Sequence, residues 1–375
     1  MTNLGHRVLR AVSISVLAAS SFACEAEDPE VKNPIGTGGN GGADVVTCDA
    51  NEGVADMSGA MCAPLSDDYT PRDSASANDT WPACISDGNE YVRFDQNISS
   101  IARVNAFIQI GEILGFGGLK APTPQEFLDA RVIYSQEQGI ESRVARREDE
   151  HYPPAPKLCR DMTPDELAQY PDRCVGPVRI RPILNLAFEE GIKGNQPVIN
   201  AARIEAALLW FLYASIYKEA TTAAMNVLDT DSMWAKYTAG EPRENPMGLA
   251  KYIQARSQEA HDRIWDGLLA VRCWRDLDNP SGVSMDPVMH ERARAQLDRA
   301  LIRGMALILR QRVQVIECEP AWETVEILGG VLMREAQVRD PAQAAIFIEE
   351  VSKRRPDPVD KERLIGAIDA LFPCP

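Results

Sequence analysis

The sequence predicts an all-α fold: an array or bundle of long antiparallel helical hairpins in about three divergent repeats, stapled by disulfides. Apolar residues recur at helical spacing from Asn97 onward, as in Ile98, Ile101, Val104 and Ile108. Strand signals are nearly absent, with few alternating β-branched runs and no Asn-Gly hairpin between such runs. The chain also carries nine cysteines behind an export-type leader, which points to covalent staples between helices.

The leader occupies residues 1–23. His6, Arg7 and Arg10 precede the apolar run Ala11 to Ala19, and Ser21-Phe22-Ala23-Cys24 follows, so a signal peptide is expected. Cys24 then stands where a bacterial lipoprotein carries its acyl chain, although Ser21 replaces the usual Leu. Lipidation would tie the protein to a membrane, in the periplasm or at the outer membrane of a bacterial cell envelope. Ordinary cleavage near Ala23 is the alternative.

Losing Arg7 and Arg10 with the leader takes the net charge from −16 to −18. Such a surface repels nucleic acid and anionic headgroups and attracts cations. No second run of 18 or more apolar residues occurs.

Residues 24–44 are acidic and then Gly-rich, and read as a flexible tether behind the anchor. Residues 45–96 read as an irregular lead-in with Cys48, Cys62, Trp81 and Cys84 among many Asp, Ser, Asn and Pro. The helical domain is expected over 97–375. Setting Cys24 aside leaves Cys48, Cys62, Cys84, Cys159, Cys174, Cys273, Cys318 and Cys374, an even set. Proximity along the chain suggests Cys48 with Cys62, Cys159 with Cys174 and Cys273 with Cys318, and Cys84 would tie the start of the folded region to Cys374.

A first helix runs to about Phe116 and is ended by Gly115, Gly117 and Gly118. Thr123-Pro124-Gln125-Glu126 has the form of a capping box with Pro at the first helical position, and opens a helix carrying Phe127, Ala130, Tyr134 and Glu137. Tyr152 to Pro182 reads as a Pro-containing loop with a second capping box, Thr163 to Glu166. A nearly all-apolar helix is expected from about Val198 to Val227, and a Trp-led one from near Asp231 to Gly240. One long helix should cover Pro246 to Trp274. Asp286-Pro287 opens a helix to about Ile316, and Glu319-Pro320 opens one that stops before Gly329-Gly330. Asp340-Pro341 begins the next, and the last spans about Pro358 to Leu371. Phe127, Trp234 and Trp322 each follow a helix and align as repeat anchors.

Chemistry has few candidate residues. Glu112, Glu205 and Glu219 lie inside apolar helices, and Glu205 and Glu219 are fourteen residues apart, nearly four whole turns, so they share a face. A buried carboxylate needs a cation or a metal. Arg103, Arg203, Arg303 and Arg310 occupy comparable helices, so ion pairs that fix the bundle are one reading. A metal is the other, and its ligands would be carboxylates and phenolates, suited to ferric iron, calcium or manganese. Outside the leader, His151, His261 and His290 fit no Glu-x-x-His pair on a helix and read as exposed. No nucleophile, base and orienter set can be assembled, no phosphate-binding loop occurs, and no enzyme is expected.

Ala206 to Ala224, AALLWFLYASIYKEATTAA, and then Met233-Trp234-Ala235-Lys236-Tyr237-Thr238-Ala239-Gly240 resemble the secreted iron-assimilation proteins of green algae and their bacterial relatives. Phe127 to Gly139 and Ala295 to Glu335 look like further repeats of that family, giving coverage of about Asn97 to Arg339. Trp322 departs from the pattern, being followed by Leu328-Gly329-Gly330 without the aromatic. The resemblance implies iron capture or delivery outside the cytoplasm, with Glu112, Glu137, Glu205, Tyr217 and Glu219 as the residues to test. The alternative is a non-catalytic helical scaffold that binds another envelope protein. The two differ in what they demand of the embedded glutamates: convergence without cations for the first, cation pairing and an exposed apolar groove for the second.

Overall fold

The computed structural model describes residues 64–72, 80–136, 139–276, 283–353 and 358–373, which fold as helices with no strand among them. The leader, the tether, Cys24, Cys48, Cys62, Cys374 and Glu137 lie outside the described residues.

The opening helix α1 spans Ser100–Leu114 and stops where Gly115 turns left-handed at φ 68°. Thr123 and Glu126 close the expected reciprocal cap, with Pro124 first in α2, Pro124–Ser135. A short α3, Ile140–Val144, and α4, Pro164–Leu167, follow; α4 starts at the second capping box. Helix α5, Arg181–Ile192, is entered through a π-turn at Gly176–Ile180 and falls partly inside the stretch expected to be loop.

At the centre is α6, Pro197–Thr222, which touches α1, α5, α7, α8, α10 and α11. It is long and apolar enough to cross a membrane, yet 94% of its most apolar window is buried in the fold. A helix that is apolar all round belongs in the middle of a protein or in lipid, and here neighbouring helices cover it. Asn226 caps α7, Val227–Thr238, which therefore starts four residues before the expected Asp231.

The single helix expected over Pro246 to Trp274 is two. Helix α8, Leu249–Gln254, ends at Ala255, and the Ser257 hydroxyl oxygen then accepts the Ala260 amide as the N-cap of α9, Gln258–Trp274. Asp286 caps α10, Pro287–Gln314. Helix α11, Glu319–Arg339, runs straight through Gly329-Gly330 rather than stopping there. The reason is packing: a Cβ at Gly329 would sit 2.9 Å from Val351 of α12, Pro341–Val351, so the glycine sets a close helix contact and not a terminus. Asp340 caps α12, and Asp360 caps α13, Lys361–Leu371.

The described part of the lead-in has little regular structure beyond a turn of 3-10 helix at Ile85–Gly88. It is nonetheless tied to the helices. The Tyr69 amide donates to Gln296 of α10 at 2.8 Å, and Tyr91 stacks on Trp234 with ring centres 4.9 Å apart.

Cys159 and Cys174 are bonded as expected. The other two testable pairings are corrected. Cys84 bonds to Cys273, across 189 residues, so Cys273 does not pair with Cys318 and Cys84 does not pair with Cys374. Cys318 is disulfide-bonded as well. Nearness along the chain misled because the lead-in folds back against α9, a contact made only in three dimensions.

Candidate functional site

Glu205 and Glu219 lie on α6, and burial has been matched to charge at each. Glu205 is 2% exposed. Its Oε1 accepts from the Tyr252 hydroxyl at 2.8 Å and from Arg312 Nη2 at 3.0 Å, while Oε2 accepts the Gly117 amide at 3.1 Å. These donors come from α8, α10 and the turn after α1, so one carboxylate fastens three elements to the central helix. The cavity beside it measures about 20 Å³, room for one water and no hydrated ion.

Glu219, near the other end of α6, is ringed by cations. Lys236 of α7 donates to its Oε1, Lys218 stands 3.2 Å from Oε2, and Arg147 is 4.0 Å from Oε1. Burial pushes this carboxyl up, but Lys236, Arg147 and Lys218 together outweigh burial and hold it well below the usual carboxylate range. A metal ion added there would meet the charges of Lys218 and Arg147 beside the Lys236 amine, which burial pulls down to about 7.

The two glutamates share a face but not a site. Fourteen residues at helical rise place them about 21 Å apart along α6, far beyond a single coordination sphere. Glu112 is exposed on α1 and makes no bond to either. Tyr217 packs its ring on His151 at 3.7 Å, and burial followed by the Asp298 charge pushes its phenol up to about 12, the wrong direction for a phenolate ligand. Among the described residues, no three His, Cys, Asp or Glu side chains come together in a group that could hold a metal.

Of the arginines expected as counter-ions, Arg103 is near enough to Glu219 for that charge to oppose the lowering of its guanidinium by burial, whereas Arg303 bonds the Phe372 carbonyl. Arg203 pairs with Glu323 at 2.8 Å, and Arg310 grips Asp369 with two bonds of 2.7 and 2.9 Å. Neither reaches Glu205 or Glu219. The cations that do, Arg312, Lys236, Lys218 and Arg147, sit at positions where sequence shows only another charge in a helix or a polar turn.

The histidines are a second correction, for all three are drawn into the fold. His261 is fully buried, its Nδ1 3.0 Å from the Tyr237 hydroxyl and its Nε2 2.9 Å from the Arg243 carbonyl. His290 stacks on Trp274 with ring centres 3.9 Å apart. His151 stands between two carboxylates, with Nδ1 2.6 Å from Asp149 and Nε2 2.9 Å from Asp298 of α10. No sequence signal could have found this sandwich, because Asp298 is 147 residues away.

Burial pulls the His151 imidazolium down, but the bonds to Asp149 and Asp298 prevail and raise it to about 9. Its folded value therefore exceeds the ordinary value of about 6.5, so the charged His stabilises the fold fully below about pH 6.5 and loses that contribution as pH rises through 9. The shift corresponds to about 3 kcal/mol. Urea midpoints at pH 6 and pH 10 for the native chain and His151→Gln should therefore differ widely at the lower pH and converge at the higher. A gap that stays constant would refute this role for His151.

Between α1 and α8 lies an open apolar groove of about 470 Å³. Phe107, Ile108, Phe116, Met247 and Tyr252 line it, with Glu112 and Lys251 among its charged neighbours. Gly248 permits the close approach: its φ is 63°, and a Cβ there would lie 2.7 Å from Val104.

No family model, no curated protein and no solved structure matches the chain.

Proposed function

We propose that the chain is a non-catalytic helical binding protein of the cell envelope, exported, held at a membrane through acylated Cys24, and engaged with another envelope protein. What carries this reading over iron capture is that the embedded glutamates already have cations. Glu205 is matched by Arg312 and Glu219 by Lys236, Lys218 and Arg147. A ligand set for iron would need carboxylates left in surplus, and here the surplus is of positive charge.

The groove between α1 and α8 supports the binding half of the reading. Its lining offers an aromatic and aliphatic surface to an apolar segment of a partner, while exposed Glu112 and Lys251 supply charges of both signs to orient it. A photo-reactive residue at position 108, inside the groove, should form one discrete protein adduct in intact envelopes. The same probe in place of Val338, 70% exposed on α11, should not. Equal labelling from both positions, or none from 108, would sink the groove as a docking surface.

A further inference from the structure

The region around Glu219 opens outward into a pocket of about 430 Å³ in which charge is not balanced. Arg143, Arg146, Arg147, Arg160, Arg173 and Lys218 line it, against Glu148, Glu150 and Glu219. Two of those three carboxylates are consumed by one residue: Arg173 bonds Glu148 at 2.8 Å and Glu150 at 2.8 Å. The third, Glu219, is shared by Lys236 and Lys218 before Arg147 reaches it at 4.0 Å.

Two guanidinium groups are left over, and a third, Arg147, has only its 4.0 Å contact with Glu219. Arg143 and Arg146 have no carboxylate within ion-pair distance among the described residues, and the Nε of Arg143 is enclosed without a hydrogen-bond partner. Arg147 is only 6% exposed, and its Nε is likewise enclosed and unpartnered. Burial, followed by the neighbouring Arg103 and Arg146 charges, pushes the Arg143 guanidinium down to about 10 against the opposing pull of Glu219, as expected where cations crowd.

Scarcity of acid does not explain this, because the chain has 55 Asp and Glu against 39 Lys and Arg. A buried guanidinium with unused donors is unfavourable unless something occupies them. Planar donor forks match the oxygens of a phosphoryl group, which accepts two parallel N–H bonds from each. The volume exceeds what a bare oxyanion fills and falls in the range of small-molecule sites. Leu158, 48% exposed, and Met225, 82% exposed, border the pocket and offer apolar contact to the organic part of a ligand.

We propose that this pocket binds a phosphoryl group carried on a small organic molecule, with Arg143, Arg146 and Arg147 as its donors. The site is separate from the apolar groove and does not rest on the docking reading, so either can fail alone.

The test is thermal melting and titration calorimetry of the purified mature chain at constant ionic strength. The probes are inorganic phosphate, phenyl phosphate, and phosphatidylcholine vesicles with and without phosphatidic acid. Phosphate and phenyl phosphate should each raise the melting temperature, phenyl phosphate more so, and preference for the phosphatidic acid vesicles would assign the group to a lipid headgroup instead. Arg143→Ala/Arg146→Ala should weaken binding by about tenfold for each guanidinium removed. The same variant should melt no lower than the native chain without ligand, since it relieves repulsion. A purely structural role would lower that melting temperature. Absence of any response to all three probes, or a response unchanged in the double variant, would overturn the proposal.

Discussion

Glu205→Ala should cost the fold about 3–5 kcal/mol, the loss that follows when one member of a buried pair is removed and the other stays charged in the interior. Arg312 has 4% of its side chain exposed and would face an apolar void, while the Tyr252 hydroxyl and the Gly117 amide would lose their acceptor. The damage should spread, because the same carboxylate connects α6 to α8, α10 and the turn after α1. Equilibrium unfolding in urea reads it directly. Replacing both partners, as Glu205→Met with Arg312→Leu, should recover much of the loss, since a packed apolar pair incurs no desolvation penalty. A cost below about 1 kcal/mol for the single change would mean that Arg312 finds another counter-charge or water.

Loss of the Cys84–Cys273 bond should be the next largest effect. It closes 189 residues, and in the loop-entropy account a bond of that span stabilises by about 5 kcal/mol, against about 3 for the 15-residue span of Cys159–Cys174. The longer bond also fastens the lead-in, whose own core is little more than Tyr69 and Trp81 against α10 and its neighbours. Unfolding Cys84→Ala/Cys273→Ala and Cys159→Ala/Cys174→Ala in parallel should rank the first pair as the more costly. The reverse order would show that native packing around α3 and α4 matters more than loop closure.

The fold was legible wherever a local signal had a local cause. Thr123 and Thr163 with their glutamates, Asp286-Pro287 and Asp340-Pro341 mark helix starts because caps and first-turn prolines act within a few residues. Signals with more than one cause were ambiguous. Gly329-Gly330 read as a stop because glycine often ends helices, yet Gly329 is there to admit Val351. The break at Ala255 to Ser257 was hidden because apolar residues keep helical spacing on both sides of it.

For the candidate site, sequence reasoning found the buried carboxylates and not their meaning. Embedding Glu205 and Glu219 in an apolar helix predicts that each has a counter-charge, which is so. Which cation answers is set by tertiary contact: Arg312 lies 107 residues from Glu205, and Lys236 is on the next helix from Glu219. Sharing a helix face does not make a common site, because rise along the axis separates the two. The arginines Arg143, Arg146 and Arg147, at the end of α3 and just beyond it, had no signature, because they sit in a polar stretch where charges are ordinarily solvated.

Our proposal is that the carboxylates of α6 serve as counter-ions and not as metal ligands. It is tested most directly by measuring iron in the purified mature chain before and after equilibration with ferric citrate, beside a Glu205→Gln/Glu219→Gln variant shown to be folded. The prediction is no stoichiometric iron in either protein. Stoichiometric iron in the native chain that is lost from the folded variant would contradict the claim and restore iron capture as the function.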